Sequence, residues 1–381
     1  MVRLGEVARV EARQVAPQSI DYAKPYIGLE SIGRGGAVDE SVRAEPGSIK
    51  SAKVAYDERH ILYGKLRPLL GKVARPITDG VASTDIYPIL PLPGIDRGYL
   101  AWFLLRPETI AWAGSRTAGV NLPRVSWATL RELEIPLPPL PEQQRIAAIL
   151  DEADALRVTN RRMREGLDDL EDATFERDFA DLGLQPTVAF RSIVASSKLG
   201  LVRSSKQTGA DLGNVYVRMN AITREGRLEL GDAVTTTVDR AELDNFSLRR
   251  GDFLFNTRNT RQLVGKSAVV RAIEPGAVFN NNILRVRFVD SVAPEFVARI
   301  FRSNLIQAQL EIRKAGTTSV FAIYARDLNS VQVPLPSRIR QERFSEFLVD
   351  VDSERAALRG RLESFDTLFA SLQHRAFRGE L

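Results

Sequence analysis

Ile135-Pro136-Leu137-Pro138-Pro139-Leu140-Pro141-Glu142-Gln143-Gln144-Arg145-Ile146 returns in looser form further on, as Val333-Pro334-Leu335-Pro336 followed by Gln341-Glu342-Arg343-Phe344, and Pro136 to Pro334 is a step of 198 residues. Proline has a fixed φ and no backbone N–H, so it is tolerated in a first helical turn and opposes helix before it. Each copy therefore marks where a globular region stops and a helix starts.

After the first copy Ile146, Ile149, Ala153, Leu156, Asn160, Met163, Leu167, Leu170 and Thr174 step by three and four residues in alternation. That spacing predicts a heptad seam facing one narrow partner surface, as in a coiled coil. After the second copy Phe344, Phe347, Val351, Leu358, Phe365, Leu368 and Leu372 repeat it, with Glu354 and Arg361 interrupting. Helices of about 40 residues would reach ~60 Å. The alternative is a pair of ordinary amphipathic helices, each packed on its own globule. Asn160 on the seam is a candidate register device.

Outward from the junctions, the chain divides into a globule at 1–138, a helix at 139–182, a second globule at 183–336 and a second helix at 337–381. In the first globule Tyr26 to Ile32, Ile61 to Tyr63 and Ile86 to Leu90 read as strands, and Arg97 to Trp112 as a helix. The second repeats the order. Tyr216 to Ile222, Phe253 to Phe255, Gly265-Lys266 and a helical stretch from Pro294 to Arg313 answer Tyr26 to Ile32, Ile61 to Tyr63, Gly71-Lys72 and the helix before Trp112. Duplication followed by divergence of the globules is the simplest account.

Charge follows the same division. Residues 1–138 carry 18 Lys and Arg against 15 Asp and Glu, a net of +3, and 139–182 carry 6 against 12, a net of −6. Residues 183–336 carry 21 against 13, a net of +8, and 337–381 carry 8 of each sign. Cationic globules suit a polyanion, and the acidic helix suits another partner. With no cysteine, disulfides and thiolate sites are excluded, and two histidines, His60 and His374, make no cluster for zinc or iron. No apolar leader core follows Met1 and no run of 18 apolar residues occurs, so a soluble cytoplasmic protein is expected.

The chain resembles the specificity subunits of type I restriction-modification enzymes. The residues that carry the likeness are Pro136 to Ile146 leading into a long helix, the echo from Pro334 to Phe344, and Arg250-Gly251-Asp252-Phe253-Leu254-Phe255 with Gly265-Lys266 beyond. The second junction departs from the pattern, with Ser337-Arg338-Ile339-Arg340 for the Pro-Leu run and Glu342 in the place of Gln144. The resemblance implies an α+β fold of two similar mixed α/β target recognition domains, separated by two long antiparallel helices that form a coiled coil, with internal pseudo-two-fold symmetry. It implies that each domain reads half of a bipartite, asymmetric double-stranded DNA site, in phage defence. It implies further that the helices dock two modification subunits, which bind S-adenosylmethionine, and that a restriction subunit using ATP and Mg joins them. The chain itself would bind no cofactor and no metal and catalyse nothing.

The sequence is compatible with a non-catalytic subunit. No Pro-Pro pair follows Asn or Asp, as the base-holding loop of an adenine methyltransferase requires, and Asp/Glu-x-Lys, the strand triplet of many nucleases, does not occur. Thr260 stands where a phosphate-cradling P-loop ending at Lys266-Ser267 needs its first glycine.

Sequence-specific DNA readers need Arg, Lys, Asn or Gln on base edges and further cations on phosphates. In the second globule Asn256-Thr257-Arg258-Asn259-Thr260-Arg261-Gln262 follows an apolar strand directly, with Lys266 beyond. Its counterpart in the first is Lys65 and Arg67, with Lys72 and Arg75 beyond. Two later segments, Arg116 to Asn121 with Arg124, and Arg313-Lys314 to Thr317-Thr318, put a basic group before a small-residue turn where backbone can approach phosphate. Solvated surface loops are the bland alternative. Two other function classes fit the same pattern: a stand-alone DNA-binding protein, and a coiled-coil scaffold for acidic proteins.

Overall fold

Each proline run begins where two strands close a globule. Val2–Arg3 pairs antiparallel with Glu134–Ile135, and Thr187–Ala189 with Gln332–Pro334, so the chain leaves each globule beside the strand on which it began. A long helix follows at once in both cases, Leu140–Asp178 and Arg338–Ala376, each of 39 residues. Pro141 lies in the first turn of the former, where its missing N–H costs no helical bond. The computed structural model describes residues 1–119, 121–231, 234–316 and 319–381, Arg34 by its backbone alone. They form two units, Met1–Met163 with Leu358–Leu381, and Arg164–Ala357.

The fold is α+β, and the two units share a topology. In the first, one antiparallel sheet has the order Ala8–Val10, Ile86–Pro91, Ile61–Gly64, Val73–Ala74; a second runs Gln14–Val15, Lys53–Tyr56, Gly80–Ala82, Tyr26–Ile27, its last pair parallel. In the second unit the orders are Val194–Leu199, Ile283–Phe288, Phe253–Asn256, Ser267–Val269, and Thr208–Gly209, Thr235–Thr236, Asn214–Val217, Val278–Phe279, again ending on a parallel pair.

The central strands lack polar alternation because both faces are covered. Ile61 and Tyr63 face a core shared with the helices, while Leu62 faces a second core with Ile27, Val54 and Ala82. Phe253 and Phe255 against Leu254 divide in the same way in the second unit.

The helix expected over Arg97 to Trp112 is two helices, Arg97–Leu104 and Pro107–Gly114. Arg106 is extended, as the residue before a proline prefers. Its counterpart is also split, into Pro294–Ile300 and Asn304–Glu311, with Ser303 extended as the cap. Tyr26 to Ile32 keeps strand only at Tyr26–Ile27, after which Ser31 N–H bonds Gly28 O and turns the chain.

The long helices run antiparallel inside each unit. In the first, Arg157 reaches Asp366 and Arg145 reaches the Leu381 carbonyl; in the second, Arg355 reaches Asp168 and Arg340 reaches Asp181. Each pair also enters its unit's core, through Ile146, Leu150 and Phe369 in one and Phe175, Phe344 and Leu348 in the other. The seam differs from the expected one in phase. Ile146, Asn160, Val351 and Leu358 are buried, and Ile149, Leu167, Phe347 and Phe365 are half-buried. Leu156, Met163, Leu170 and Leu368 are 44–48% exposed. Only alternate inward positions lie one residue later, at Leu150, Arg157, Glu171, Leu348, Arg355 and Phe369, while Ala153, Thr174 and Phe344 are buried as the spacing predicts. A seam filled partly by ion-paired arginine and glutamate is invisible to a search for apolar spacing. Asn160 is buried, and its amide donates to Leu156 O in its own helix.

Candidate nucleic-acid interface

Segments far apart in sequence meet on a small sheet in the second unit and through isolated β-bridges in the first. In the second, Arg258–Asn259 pairs with Phe321–Ala322, which pairs with Ala315–Gly316. This joins the polar run after Phe255 to the turn after Arg313. In the first, bridges Leu66↔Arg124 and Ala118↔Arg124 join the Lys65 segment to the turn after Arg116 in the same order. Both arise because the central strand runs out of its sheet beside a paired partner strand, here with Arg67 N–H on Pro123 O and Ile323 N–H on Thr257 O.

Within these platforms the cations divide into two groups. Arg67 is exposed and Arg116 lies 4.4 Å above the Trp112 ring, while Lys65 lies 5.0 Å from the Tyr87 ring. Among the described residues no carboxylate pairs with any of the three. In the second unit Arg258 and Gln262 are exposed and likewise without a side-chain partner. The remaining candidates are tied into the fold. Arg124 pairs with Asp85 at 2.9 Å, and Arg261 with Glu311 at 2.9 Å. Lys314 also holds Glu311, and Lys314 foremost, then Arg261, keeps that carboxyl below its ordinary value. Arg313 donates to Gln309 O, Asp327 O and Ser330 Oγ. Thr317 and Thr318 lie outside the described residues.

Two expected contacts are interior supports. Lys72 donates to Ile32 O and Lys266 to Ile222 O, each ammonium fastening the turn that opens the second sheet's loop. Burial pushes the Lys266 ammonium down from its ordinary value. Both lysines follow a left-handed glycine, Gly71 at φ 60° and Gly265 at φ 91°, which turns the next side chain inward. Asn256 is fully buried and donates to Arg258 O and Asn282 O, while Asn259 donates to Asn256 Oδ1. These asparagines shape the platform from below. Arg75 is likewise spent, on Asp151 and against the Trp102 ring at 5.5 Å.

Sequence reasoning missed the residue that locks each junction. Gln143 is buried; its carbonyl accepts Asp96 N–H at 2.8 Å, and its amide donates to Gly94 O at 3.0 Å and Pro138 O at 2.8 Å. Gln341, also buried, accepts Ala293 N–H and donates to Pro336 O, both at 2.9 Å. Each glutamine ties the start of a long helix to the cap of the globule's own helix. The signal was the 198-residue step from Gln143 to Gln341.

Among the described residues there is no group of three or more His, Asp or Glu able to hold a metal, and no helix long and apolar enough to cross a membrane. The arrangement is that of a duplicated α+β protein: two globules of one design, each carrying cations at the same topological place. The family model of the type I restriction modification DNA specificity domain matches residues 1–165. The type I restriction enzyme EcoKI specificity subunit of Escherichia coli K12 is 23% identical over 316 residues, 73% of this chain and 68% of that protein. The EcoDI specificity subunit of Escherichia coli is 37% identical over 98 residues, 26% of this chain and 22% of that protein. The type I restriction-modification system S subunit from M. genitalium shares the fold, with a TM-score of 0.57 over 98% of this chain and 95% of that one at 14% identity. The chain is thus similar to the specificity subunits of type I restriction-modification systems, and its first 165 residues match their DNA specificity domain.

Proposed function

We propose that the two globules are target recognition domains, each reading one half of a bipartite, asymmetric DNA site, and that the long helices dock the modification subunits, which a restriction subunit joins in the cytoplasm. The observation that carries this reading is the convergence of separated segments onto one platform in each unit, at the same topological place but with different exposed side chains: Lys65, Arg67 and Arg116 in one, Arg258 and Gln262 in the other. A shared frame with divergent surface side chains is what two readers of unlike half-sites require. Arg258 and Gln262 suit guanine and adenine edges, and the first platform's cations suit phosphates.

Docking is supported by the apolar side chains left outside the seam. Leu156 and Met163 stand exposed on the long helix of the first unit at seven-residue spacing. S-adenosylmethionine, ATP and Mg belong on the partners in this reading, and the chain performs no chemistry itself.

The test is to express the chain with its cognate modification subunit in a methylation-free host and sequence the methylated adenines. One bipartite motif is expected. Arg258→Ala should relax a base in one half of it, at a cost of ~1–3 kcal/mol on the cognate base pair alone. Equal weakening on every sequence would remove Arg258 from base reading, and scattered methylation would sink the proposal.

A further inference from the structure

The first platform carries a feature that phosphate contact leaves unexplained. The turn Pro68–Leu70 lies between two left-handed residues, Arg67 at φ 50° and Gly71 at φ 60°. Arg67 is the only non-glycine residue with positive φ among the described residues. Backbone strain of this kind persists only where the surroundings enforce it. Here Arg67 N–H is held by Pro123 O at 2.7 Å, and Leu70 N–H closes the turn on Arg67 O at 2.9 Å.

What the strained turn presents is apolar. Pro68 is buried beneath it, whereas Leu69 is 68% exposed and Leu70 49% exposed. Leu69 rests on Gly114, where a β-carbon would come within 2.3 Å of Leu69 Cδ2, so that glycine leaves room for the leucine to lean on the helix without sinking into a core. Leu122, 48% exposed, adjoins the Pro123 that holds Arg67. Lys65, Arg67 and Arg116 belong to the same platform, and among the described residues none of the three has a carboxylate partner. Among the described residues the second platform has no such turn: Gln262 is exposed there, Leu263 half-buried and Val264 buried.

An apolar tip on a platform of unpaired cations complements a polyanion whose interior is apolar, and that is a DNA duplex opened at a base-pair step. Resting on the reading of the globules as half-site readers, the geometry points to insertion of Leu69 and Leu70 into one base-pair step of the half-site read by the first globule. Pyrimidine–purine steps unstack most easily and are therefore the ones selected. The first globule thus reads by deformation at that step, and the second by hydrogen bonds.

The experiment uses the full chain assembled with its modification subunits and duplexes carrying 2-aminopurine at successive positions of the first half-site. Wild-type binding should raise the fluorescence at one step, and the Leu69→Ala/Leu70→Ala variant should abolish that rise while losing about tenfold discrimination for the step. Both leucines are exposed, so the variant should fold, and Leu263→Ala is the matched control. Any adenine extruded by the modification subunit gives its own signal, which the variant leaves in place. Specific binding with no rise elsewhere, or a rise that survives the double substitution, overturns the insertion and leaves the half-site reading standing. Loss of subunit assembly in the variant, with the rise intact, also overturns it and assigns the leucines to a protein contact. Equal binding of all duplexes by the wild type defeats the underlying reading instead.

Discussion

Gln143→Leu should destabilise the first unit by about 3 kcal/mol, from three hydrogen bonds of roughly 1 kcal/mol net each. Leucine fills a similar volume, so the loss measures the unpaired Asp96 N–H, Gly94 O and Pro138 O more than a cavity. Gln341→Leu loses two such bonds, and the second unit should lose about 2 kcal/mol. The assay is built into the composition: all three tryptophans, Trp102, Trp112 and Trp127, lie in the first unit. Tryptophan fluorescence in urea therefore follows that unit alone, and with a slope of ~2 kcal/mol/M the midpoint for Gln143→Leu should drop by about 1.5 M. Amide exchange across Pro294–Ile300, whose cap Gln341 holds, should quicken in Gln341→Leu. A drop corresponding to less than ~1 kcal/mol in Gln143→Leu would refute the lock, because one net bond alone should exceed that once its partners are buried.

Leu150→Ala should cost about 2–5 kcal/mol because Leu150 is fully buried, whereas Leu156→Ser and Met163→Ser should leave the urea midpoint within ~0.5 kcal/mol and weaken co-purification of the modification subunit. Equal stability losses would return those two residues to the seam. Arg340 holds the Asp181 carboxyl down to about 2. A carboxyl depressed in the folded state contributes stability that is present above its unfolded value near ~4 and lost as pH falls toward the folded one. The melting difference between wild type and Arg340→Ala should therefore be constant above pH ~5 and shrink toward pH 2, and a constant difference across that window would remove the ion pair as its cause. Lys72→Met and Lys266→Met should lower stability, since each leaves a buried carbonyl unpaired, without reducing the salt dependence of DNA binding. A smaller salt slope in either variant would place its ammonium on a phosphate.

The sheets, both helix starts and the duplication were legible because each rests on local chemistry: proline before a helix, apolar runs on strands covered on both faces, and order repeated at 198 residues. Legibility stopped where a polar side chain turns inward. Lys72, Lys266 and Asn256 have the residue types of DNA readers, but a left-handed glycine before each lysine and the Asn282 carbonyl facing the asparagine turn them into supports. Arg67 shows the converse. Its side chain is exposed, as the expected DNA contact requires, while its backbone strain and the turn that carries the leucines depend on Pro123, more than 50 residues away.

The seam's phase follows the same logic one level up. Apolar spacing assigns the helix contact to Leu156 and Met163, yet Arg157 bridges Asp154 and Asp366, and in the second unit Arg355 bridges Asp352 and Asp168. Arg157 and Arg355, Asp154 and Asp352, and Asp168 and Asp366 are each 198 residues apart, so one ion-paired arrangement has been kept twice. Removing one partner of a partly buried charge pair costs far more than the pair itself contributes, so such an arrangement specifies register more than it adds stability. Fixing register with charge frees the neighbouring apolar side chains from the seam, and leaves Leu156 and Met163 nearly half exposed.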